Sequence, residues 1–150
     1  MQIREITDYN EIIQNKDLAR LLGYAMVSPT PGKIQNAAQS VYAKQQGHFF
    51  AVQDETGVEV GIIGYKTIDN NQLIIMHIAV DEDKRHQGIG RFMVDTVKTF
   101  LKLGTVQAEA DHLQFRFFKA LDFECKLAPE SAYGSSIYSC VWKVPKVAKR

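Results

Sequence analysis

The sequence predicts an α/β (α+β) fold with a mixed, mostly antiparallel central sheet of about seven strands, flanked by about four helices. Short segments that alternate polar and apolar residues recur along the chain between turn residues, as antiparallel strands do. Longer segments between them repeat apolar residues at helical spacing. With 150 residues, of which 45% are hydrophobic, the chain can bury one sizeable core. We therefore expect a single domain over residues 1–145.

The first half of the chain predicts a strand, two helices and three strands. Residues 2–6 alternate in polarity and form the first strand. Asp8 caps a helix that ends near Gly23, residues 28–32 interrupt helical structure, and a second helix covers residues 33–46. Three strands joined by tight turns follow over residues 48–53, 58–68 and 73–80. Gly61 and Gly64 within the second of these mark a bulge or the approach of a ligand, or are purely structural.

The second half predicts helices and strands in alternation. An amphipathic helix covers residues 89–103 and directs five side chains to the core: Phe92, Met93, Val97, Phe100 and Leu101. A strand follows over residues 105–110, and then a helix through Leu121 that Asp111 caps together with Gln114. Residues 123–128 and 137–144 form a hairpin around a polar loop, and residues 146–150 form a disordered tail.

Composition argues against several classes of protein. The net charge is +1 with no basic stripe before the last residues, so nucleic acid is not an expected partner. No apolar run reaches the ~18 residues of a membrane-spanning helix, and the N-terminal residues lack a signal-peptide pattern, so no membrane partner is expected. Cys125 and Cys140 form neither a disulfide framework nor a metal-ligand pattern, and could be neighbours on adjacent strands. We expect a cytoplasmic protein without a metal site.

The most informative stretch is the loop between the strand ending at Val80 and the helix beginning near Ile89. Gly88 and Gly90 remove two side chains there, so main-chain N–H groups at the helix start can approach an anion closely. Met93 stands where a dinucleotide fingerprint needs its third glycine, and no Gly-Lys-Ser/Thr follows. The loop therefore predicts a ligand that carries phosphate, with a tight turn that binds nothing as the alternative.

Arg85, Gly88 and Gly90 give this loop a pattern that resembles the signature of the GNAT superfamily of acetyl-CoA-dependent N-acetyltransferases. That signature is Gln or Arg, two residues, Gly, one residue, then Gly or Ala. The predicted order of strands and helices also resembles the GNAT order along nearly the entire chain. The resemblance implies a GNAT fold whose sheet is splayed at an acyl-CoA cleft. It also implies transfer of an acetyl group from acetyl-CoA to a primary amine by direct attack in a ternary complex.

The same resemblance implies which residues bind acetyl-CoA. Main-chain groups of Ile78 and Val80 would contact the pantetheine arm, and Ala79 between them belongs to the same cofactor-binding set. The pyrophosphate would lie on the amides of the loop and the start of the helix, which are those of Arg85, His86, Gln87, Gly88, Ile89, Gly90 and Arg91. Lys84 would add positive charge nearby. Asp111 and Phe118 belong to a second family segment and complete the set.

That second segment keeps the spacing of the family but not all of its residue types. Asp111 stands for the usual Asn, Phe118 for the usual Tyr and Asp122 for the usual Gly, although Asp122 can adopt a left-handed backbone conformation. The family's Tyr is the proton donor for the leaving thiolate, and Phe118 cannot donate. Candidates for acid or base are therefore His77, Glu109, His112, Tyr133 and Tyr138. A non-catalytic acyl-CoA-binding module or sensor is the alternative function.

His77 is a candidate general base because a neutral imidazole can accept a proton from an amine. It shares strand parity with Ile75 and Ala79, which predicts a packed position, unless a bulge changes the face that it meets. The acceptor is a small-molecule or peptide amine, and the family places its specificity in residues 24–32. An open edge strand near the C-terminus could pair two copies of the chain into a homodimer.

Overall fold

The computed structural model describes residues 1–26, 28–101, 104–128 and 137–144. Within them, one sheet has seven strands in the order β1-β2-β3-β4-β5-β7-β6, and all neighbours are antiparallel except β4 and β5. The strands are β1 Gln2–Glu5, β2 Gly47–Gln53, β3 Glu59–Asp69, β4 Gln72–Val80, β5 Thr105–Ala110, β6 Glu124–Leu127 and β7 Tyr138–Lys143. The predicted mixed, mostly antiparallel sheet is confirmed, including the C-terminal hairpin.

Five α-helices lie in the described residues, one more than predicted: α1 Tyr9–Gln14, α2 Lys16–Tyr24, α3 Pro31–Ala37, α4 Ile89–Thr99 and α5 Phe115–Ala120. The extra helix arises at Asn15, whose extended backbone ends α1 and whose side chain caps α2 by accepting from the amides of Asp17 and Leu18. α3 starts within the segment predicted to interrupt helices, because Thr30 caps it and Pro31 suits a first helical position. None of these helices is long and apolar enough to cross a membrane.

The sheet separates two hydrophobic clusters. The cluster on the side of α4 and α5 includes Leu73, Ile75, Met93, Val97 and Phe118. The cluster on the side of α1, α2 and α3 includes Ile12, Leu18, Leu22, Tyr42 and Phe49. α3 continues as a π-helical turn, Ala38–Tyr42, which places the Tyr42 ring edge-on to Phe49 at 4.9 Å between centroids. Burial of each such large side chain stabilises the fold by about 1.5–3 kcal/mol.

β4 is the strand at which the sheet opens. It pairs with β3 along its whole length but with β5 only from Gln72 to Ile75. Gly64 lies opposite His77 whereas Tyr65 lies opposite Ile75, so Met76 is an extra residue in β4. Such a bulge bends the strand and shifts its register. The sheet is therefore splayed between β4 and β5 beyond Ile75, as predicted.

The C-terminal end of α4 differs from the prediction. The helix ends at Thr99, and Phe100 lies beyond it with 49% of its surface exposed, packed beside Phe50. Val94 is fully buried in its place, because the buried stripe of the helix passes through Val94 and Val97. Cys125 and Cys140 lie opposite each other on β6 and β7 as free thiols. Leu103, the loop residues 129–136 and the tail 146–150 lie outside the described residues.

Candidate functional site

The loop after β4 has two residues in the left-handed region, His86 with φ 64° and Gly88 with φ 84°. Gly88 directly precedes α4 and faces open space, so its requirement is conformational. Gly90 is required for packing instead, since an added Cβ would lie 2.8 Å from Cε1 of Phe117. The two glycines of the motif are therefore required for different physical reasons.

Seven consecutive main-chain amides, from Arg85 to Arg91, donate no hydrogen bond to any described residue. Gly88 also supplies no side-chain cap for α4. Unpaired amides at a helix start carry the partial positive charge of the helix and are a ready site for an anion. These orphan donors fit a phosphate or pyrophosphate group.

Three basic residues surround these amides: Lys84, Arg85 and Arg91. Arg85 Nε donates to the carbonyl oxygen of Val80 at 3.3 Å, and Arg91 donates to that of Ala120 at 3.3 Å. Each contact uses one of the five N–H donors of a guanidinium group, so the others stay available to an anion. One guanidinium group is thereby anchored at the end of β4 and the other at the end of α5.

The open edge of β4 presents main-chain groups to the splay. The amide of Asp81 donates to the carbonyl oxygen of Val60 on β3 at 2.8 Å. Because the direction of main-chain groups alternates along a strand, those of Ala79 also point to β3, and those of Ile78 and Val80 point away from it. The two residues predicted to contact a pantetheine arm thus offer their main-chain groups to the gap, and Ala79 does not.

A cavity in this gap is lined by Ala25, Ile75, Met76, His77, Ile78, Ala108, Glu109, Gln114 and Phe118. It brings together four of the residues singled out in the sequence: His77, Ile78, Glu109 and Phe118. His112 is exposed and Tyr138 stacks on Phe115 at 4.1 Å between centroids, and neither lines the cavity. Tyr133 lies outside the described residues.

His77 faces the α2 side of the sheet, because the bulge at Met76 reverses the alternation after Ile75. Its Nδ1 lies 2.5 Å from the hydroxyl oxygen of Tyr42, and the two ring centroids are 5.7 Å apart. Burial lowers the pKa of His77 to about 4 and raises the pKa of Tyr42, because it disfavours the charged form of each group. Both side chains are therefore neutral near pH 7.

Phe118 lies in the hydrophobic core with 3% of its surface exposed, beside Phe117 and Phe123 at 5.1 and 5.2 Å between ring centroids. It offers the cavity no proton donor. Asp111 caps the turn before α5, since its Oδ1 accepts from the amides of Leu113 and Gln114. The predicted capping pair is incomplete, because α5 begins only at Phe115 and the Gln114 side chain makes no capping hydrogen bond to a described residue. Asp122 has φ 69°, which confirms the predicted left-handed conformation in place of glycine.

Three residues of this site were not predicted from the sequence as site residues: Tyr42, Met76 and Gln114. Met76 and Gln114 line the cavity, and Tyr42 holds His77. Gly64 was the available signal for Tyr42, because a Cβ at Gly64 would collide with the tyrosine hydroxyl. The sequence could not reveal which side chain fills the space beside a strand glycine.

The family model described as acetyltransferase (GNAT) domain matches residues 45–125, more than half of the chain. A curated relative from Bacillus methanolicus, an uncharacterized N-acetyltransferase in the lysA 3′ region, is 29% identical over 66 residues. That segment covers 44% of this chain and 54% of the relative. The match thus spans about half the length of the relative.

Two solved structures resemble the chain over nearly its whole length. The aminoglycoside 6′-N-acetyltransferase from Enterococcus faecium has a TM-score of 0.77 at 14% identity, covering 99% of this chain and 100% of that one. A GNAT family acetyltransferase from Elizabethkingia anophelis, solved with acetyl-CoA bound, has a TM-score of 0.71 at 14% identity, covering 95% and 97%. At these identities the likeness shows the fold.

Proposed function

The chain belongs to the GNAT acetyltransferase family, and on that premise we propose that it is an N-acetyltransferase. It transfers an acetyl group from acetyl-CoA to a primary amine by direct attack within a ternary complex. The observation that carries the proposal is the run of seven unpaired amides from Arg85 to Arg91 at the start of α4. They lie at the end of the strand along which the sheet opens, so one extended ligand can meet both features.

Acetyl-CoA fits the donors and acceptors of this chain. The amides of Arg85, His86, Gln87, Gly88, Ile89, Gly90 and Arg91 would hold the pyrophosphate, with the charges of Lys84 and of the two arginines nearby. Ile78 and Val80 would pair with the pantetheine amides, because their main-chain groups point into the splay. Ile89 can contribute only its amide, since its side chain is buried. Asp111 supports the site indirectly by capping the turn before α5.

The cavity suits an amine. Among the described residues that line it, Glu109 supplies the one carboxylate, and an acidic group attracts a protonated amine. Ala25 brings the segment after α2, which the family uses for acceptor specificity, to the same cavity. The acceptor is a small-molecule or peptide amine, and aminoglycosides belong in the test panel because the Enterococcus faecium neighbour is an aminoglycoside acetyltransferase.

Bound acetyl-CoA would supply an activated acyl group and a thiolate leaving group. The attacking amine must be neutral, and Glu109 or solvent can take its proton. Phe118 cannot protonate the leaving sulfur, but a thiolate whose conjugate thiol has a pKa of ~8.5 leaves without an obligatory proton donor. The imidazole of His77 is neutral near pH 7, so it can form hydrogen bonds but carries no positive charge.

Binding and turnover are tested separately. Calorimetry and thermal unfolding with acetyl-CoA measure binding, and ligand at 100 times its dissociation constant should stabilise the protein by ~2.7 kcal/mol. Mass spectrometry of acetylated products then measures turnover with polyamines, aminoglycosides and peptides with free amines. This readout is preferable to thiol reagents, which would also report Cys125. Absence of any acetyl-CoA binding would overturn the proposal.

A second candidate function is a non-catalytic acyl-CoA-binding module or sensor. The observation that favours it is Phe118, which is buried at the cavity where the family has its proton donor. This candidate predicts binding of acetyl-CoA without product from any amine in the panel. Detection of a single acetylated product at a rate above the uncatalysed reaction would exclude it.

Homodimerisation remains a prediction of its own. β6 is an edge strand of the described sheet, and Leu127 on it has 60% of its surface exposed. Glu124 and Lys126 on the same strand carry charges of the kind that protect edges from pairing. Sedimentation equilibrium would distinguish a dimer from a monomer.

A further inference from the structure

The contact between Tyr42 and His77 determines which nitrogen of the imidazole carries its proton. A neutral histidine has one N–H donor and one acceptor nitrogen. Nδ1 of His77 lies 2.5 Å from the hydroxyl oxygen of Tyr42, so either the hydroxyl donates to Nδ1 or Nδ1–H donates to the hydroxyl. In the first arrangement Nε2 carries the ring proton and is a donor, and in the second Nε2 is an acceptor.

Hydrogen-bond satisfaction selects the first arrangement. The Tyr42 side chain is buried, and its hydroxyl has no other partner among the described residues. If Nδ1 carried the proton, the hydroxyl hydrogen of Tyr42 would be left without an acceptor, and a buried unpaired donor costs about 1–3 kcal/mol. If the hydroxyl donates to Nδ1, both groups are paired and Nε2 carries the ring proton.

Nε2 is the nitrogen that remains available. No hydrogen bond joins it to a described residue. Within the described chain, the buried side-chain nitrogen and oxygen atoms without a partner are Arg4 Nε and Glu59 Oε2, so Nε2 of His77 is not sealed from solvent. His77 lines the cavity together with Glu109 and Phe118.

We propose that Tyr42 is a positioning residue that holds His77 as the Nε2–H tautomer, so that His77 presents a hydrogen-bond donor, and not a base, to the cavity. The donor would bind the carbonyl oxygen of the acyl group that is transferred. This inference rests on the proposed function for its catalytic consequence, whereas the tautomer itself belongs to the free protein. It reverses the role of general base that the sequence suggested for His77.

A hydrogen-bond donor at this position would stabilise the negative charge that develops during the transfer. The lone pair of the amine forms the new C–N bond, and negative charge develops on the carbonyl oxygen. The carbonyl double bond then re-forms as the C–S bond breaks, and sulfur leaves with the electron pair of that bond. The amine proton passes to Glu109 or solvent, and the proton on His77 stays on Nε2 throughout. A fixed donor aimed at such an oxygen contributes about 10²–10³-fold to the rate.

The first test is the tautomer in the protein without ligand. Long-range proton–nitrogen correlation spectra of ¹⁵N-labelled protein at pH 7 distinguish a protonated from an unprotonated ring nitrogen, and the His77→Gln variant assigns the signals. We expect Nε2 protonated and Nδ1 unprotonated in the wild type. In Tyr42→Phe, which keeps the ring against Phe49, we expect a mixture of tautomers. Protonated Nδ1 in the wild type, or an unchanged Tyr42→Phe spectrum, would overturn the proposal.

The second test separates donor from base by rate. The amide NH₂ of Gln can stand in for Nε2–H but cannot act as a base. We expect His77→Gln to keep kcat within about 10-fold and His77→Ala to lose about 10²–10³-fold. Tyr42→Phe should lower kcat and leave KM for acetyl-CoA unchanged, because the pyrophosphate amides are on another element. Equal losses in His77→Gln and His77→Ala would contradict the donor role.

The outcomes of these tests distinguish failure of this inference from failure of the proposed function. If no amine is acetylated but the wild type shows the Nε2–H tautomer, the proposed function fails and the positioning by Tyr42 stands. If turnover is found but Nδ1 carries the proton, the proposed function stands and this inference is overturned.

Discussion

Gly64 on β3 leaves the space that the hydroxyl group of Tyr42 occupies: a Cβ at residue 64 would lie 1.9 Å from that oxygen. The strand glycine, the π-helical turn that ends at Tyr42 and the bulge before His77 thus form one arrangement. This arrangement joins residues from three separate elements, and of these residues His77 lines the cavity.

Gly64→Ala should destabilise the fold and displace Tyr42. The added methyl group would meet the hydroxyl oxygen and two ring atoms of the buried Tyr42 side chain, and overpacking of this kind costs about 1–3 kcal/mol. Urea unfolding measures the loss. The matched control is Gly32→Ala in α3, where the added Cβ meets only Thr30 Oγ1 at 3.9 Å and no loss is expected. Equal effects of both substitutions would contradict the steric argument.

Gly88→Glu should abolish binding of acetyl-CoA. It places a negative charge among the unpaired amides that would hold the pyrophosphate. Gly57→Glu is a matched control, because Gly57 in the turn before β3 has the same φ of 84° and an added Cβ there also meets no atom within 4 Å. The two variants carry the same backbone strain and charge. Calorimetry should show binding in the Gly57 variant alone, and comparable binding in both would refute the assignment of the loop.

Stability should fall with acid through the titration of His77. Burial lowers its pKa in the folded state to about 4, against an ordinary value of 6.5. Between these values the unfolded chain binds a proton that the folded protein does not, so His77 favours unfolding as the pH falls from about 6.5 to about 4. The effect reaches on the order of 3 kcal/mol below that window.

The measurement is the free energy of unfolding at several pH values, compared between the wild type and His77→Gln, which removes the titrating group. The difference between the two proteins should change within this window and be constant above pH 7. A difference that does not vary with pH would show that His77 titrates alike in both states.

Arg4→Met should destabilise the fold by leaving a buried carboxylate unpaired. Glu59 is 4% exposed, and its Oε1 accepts from Arg4 at 2.6 Å and from Gln53 at 3.0 Å. Loss of the arginine leaves the charge of Glu59 with a single donor, which costs about 1–3 kcal/mol. Chemical denaturation checks this value. The double variant Arg4→Met with Glu59→Gln should recover part of the loss, and additive effects would argue against coupling.

Sequence patterns with a short range predicted much of the fold. The alternation of β2 to β5 and the caps at Asp8 and Asp111 depend on neighbouring residues, so they could be recognised without the tertiary structure. The same is true of the left-handed conformation at Asp122. The break between α1 and α2 at Asn15 was not predicted, because the apolar period continues across this residue although its extended backbone interrupts the helix.

By itself, the sequence determined the order of the strands along the chain and the loop from Arg85 to Gly90. It also determined that Phe118 stands where the family usually has a tyrosine. These are properties of local spacing and residue type. Only the tertiary structure decided the surroundings of His77, because its partner Tyr42 lies 35 residues away and its face depends on a bulge. Pairing between distant segments sets burial, register and protonation, and no local pattern encodes which groups will meet.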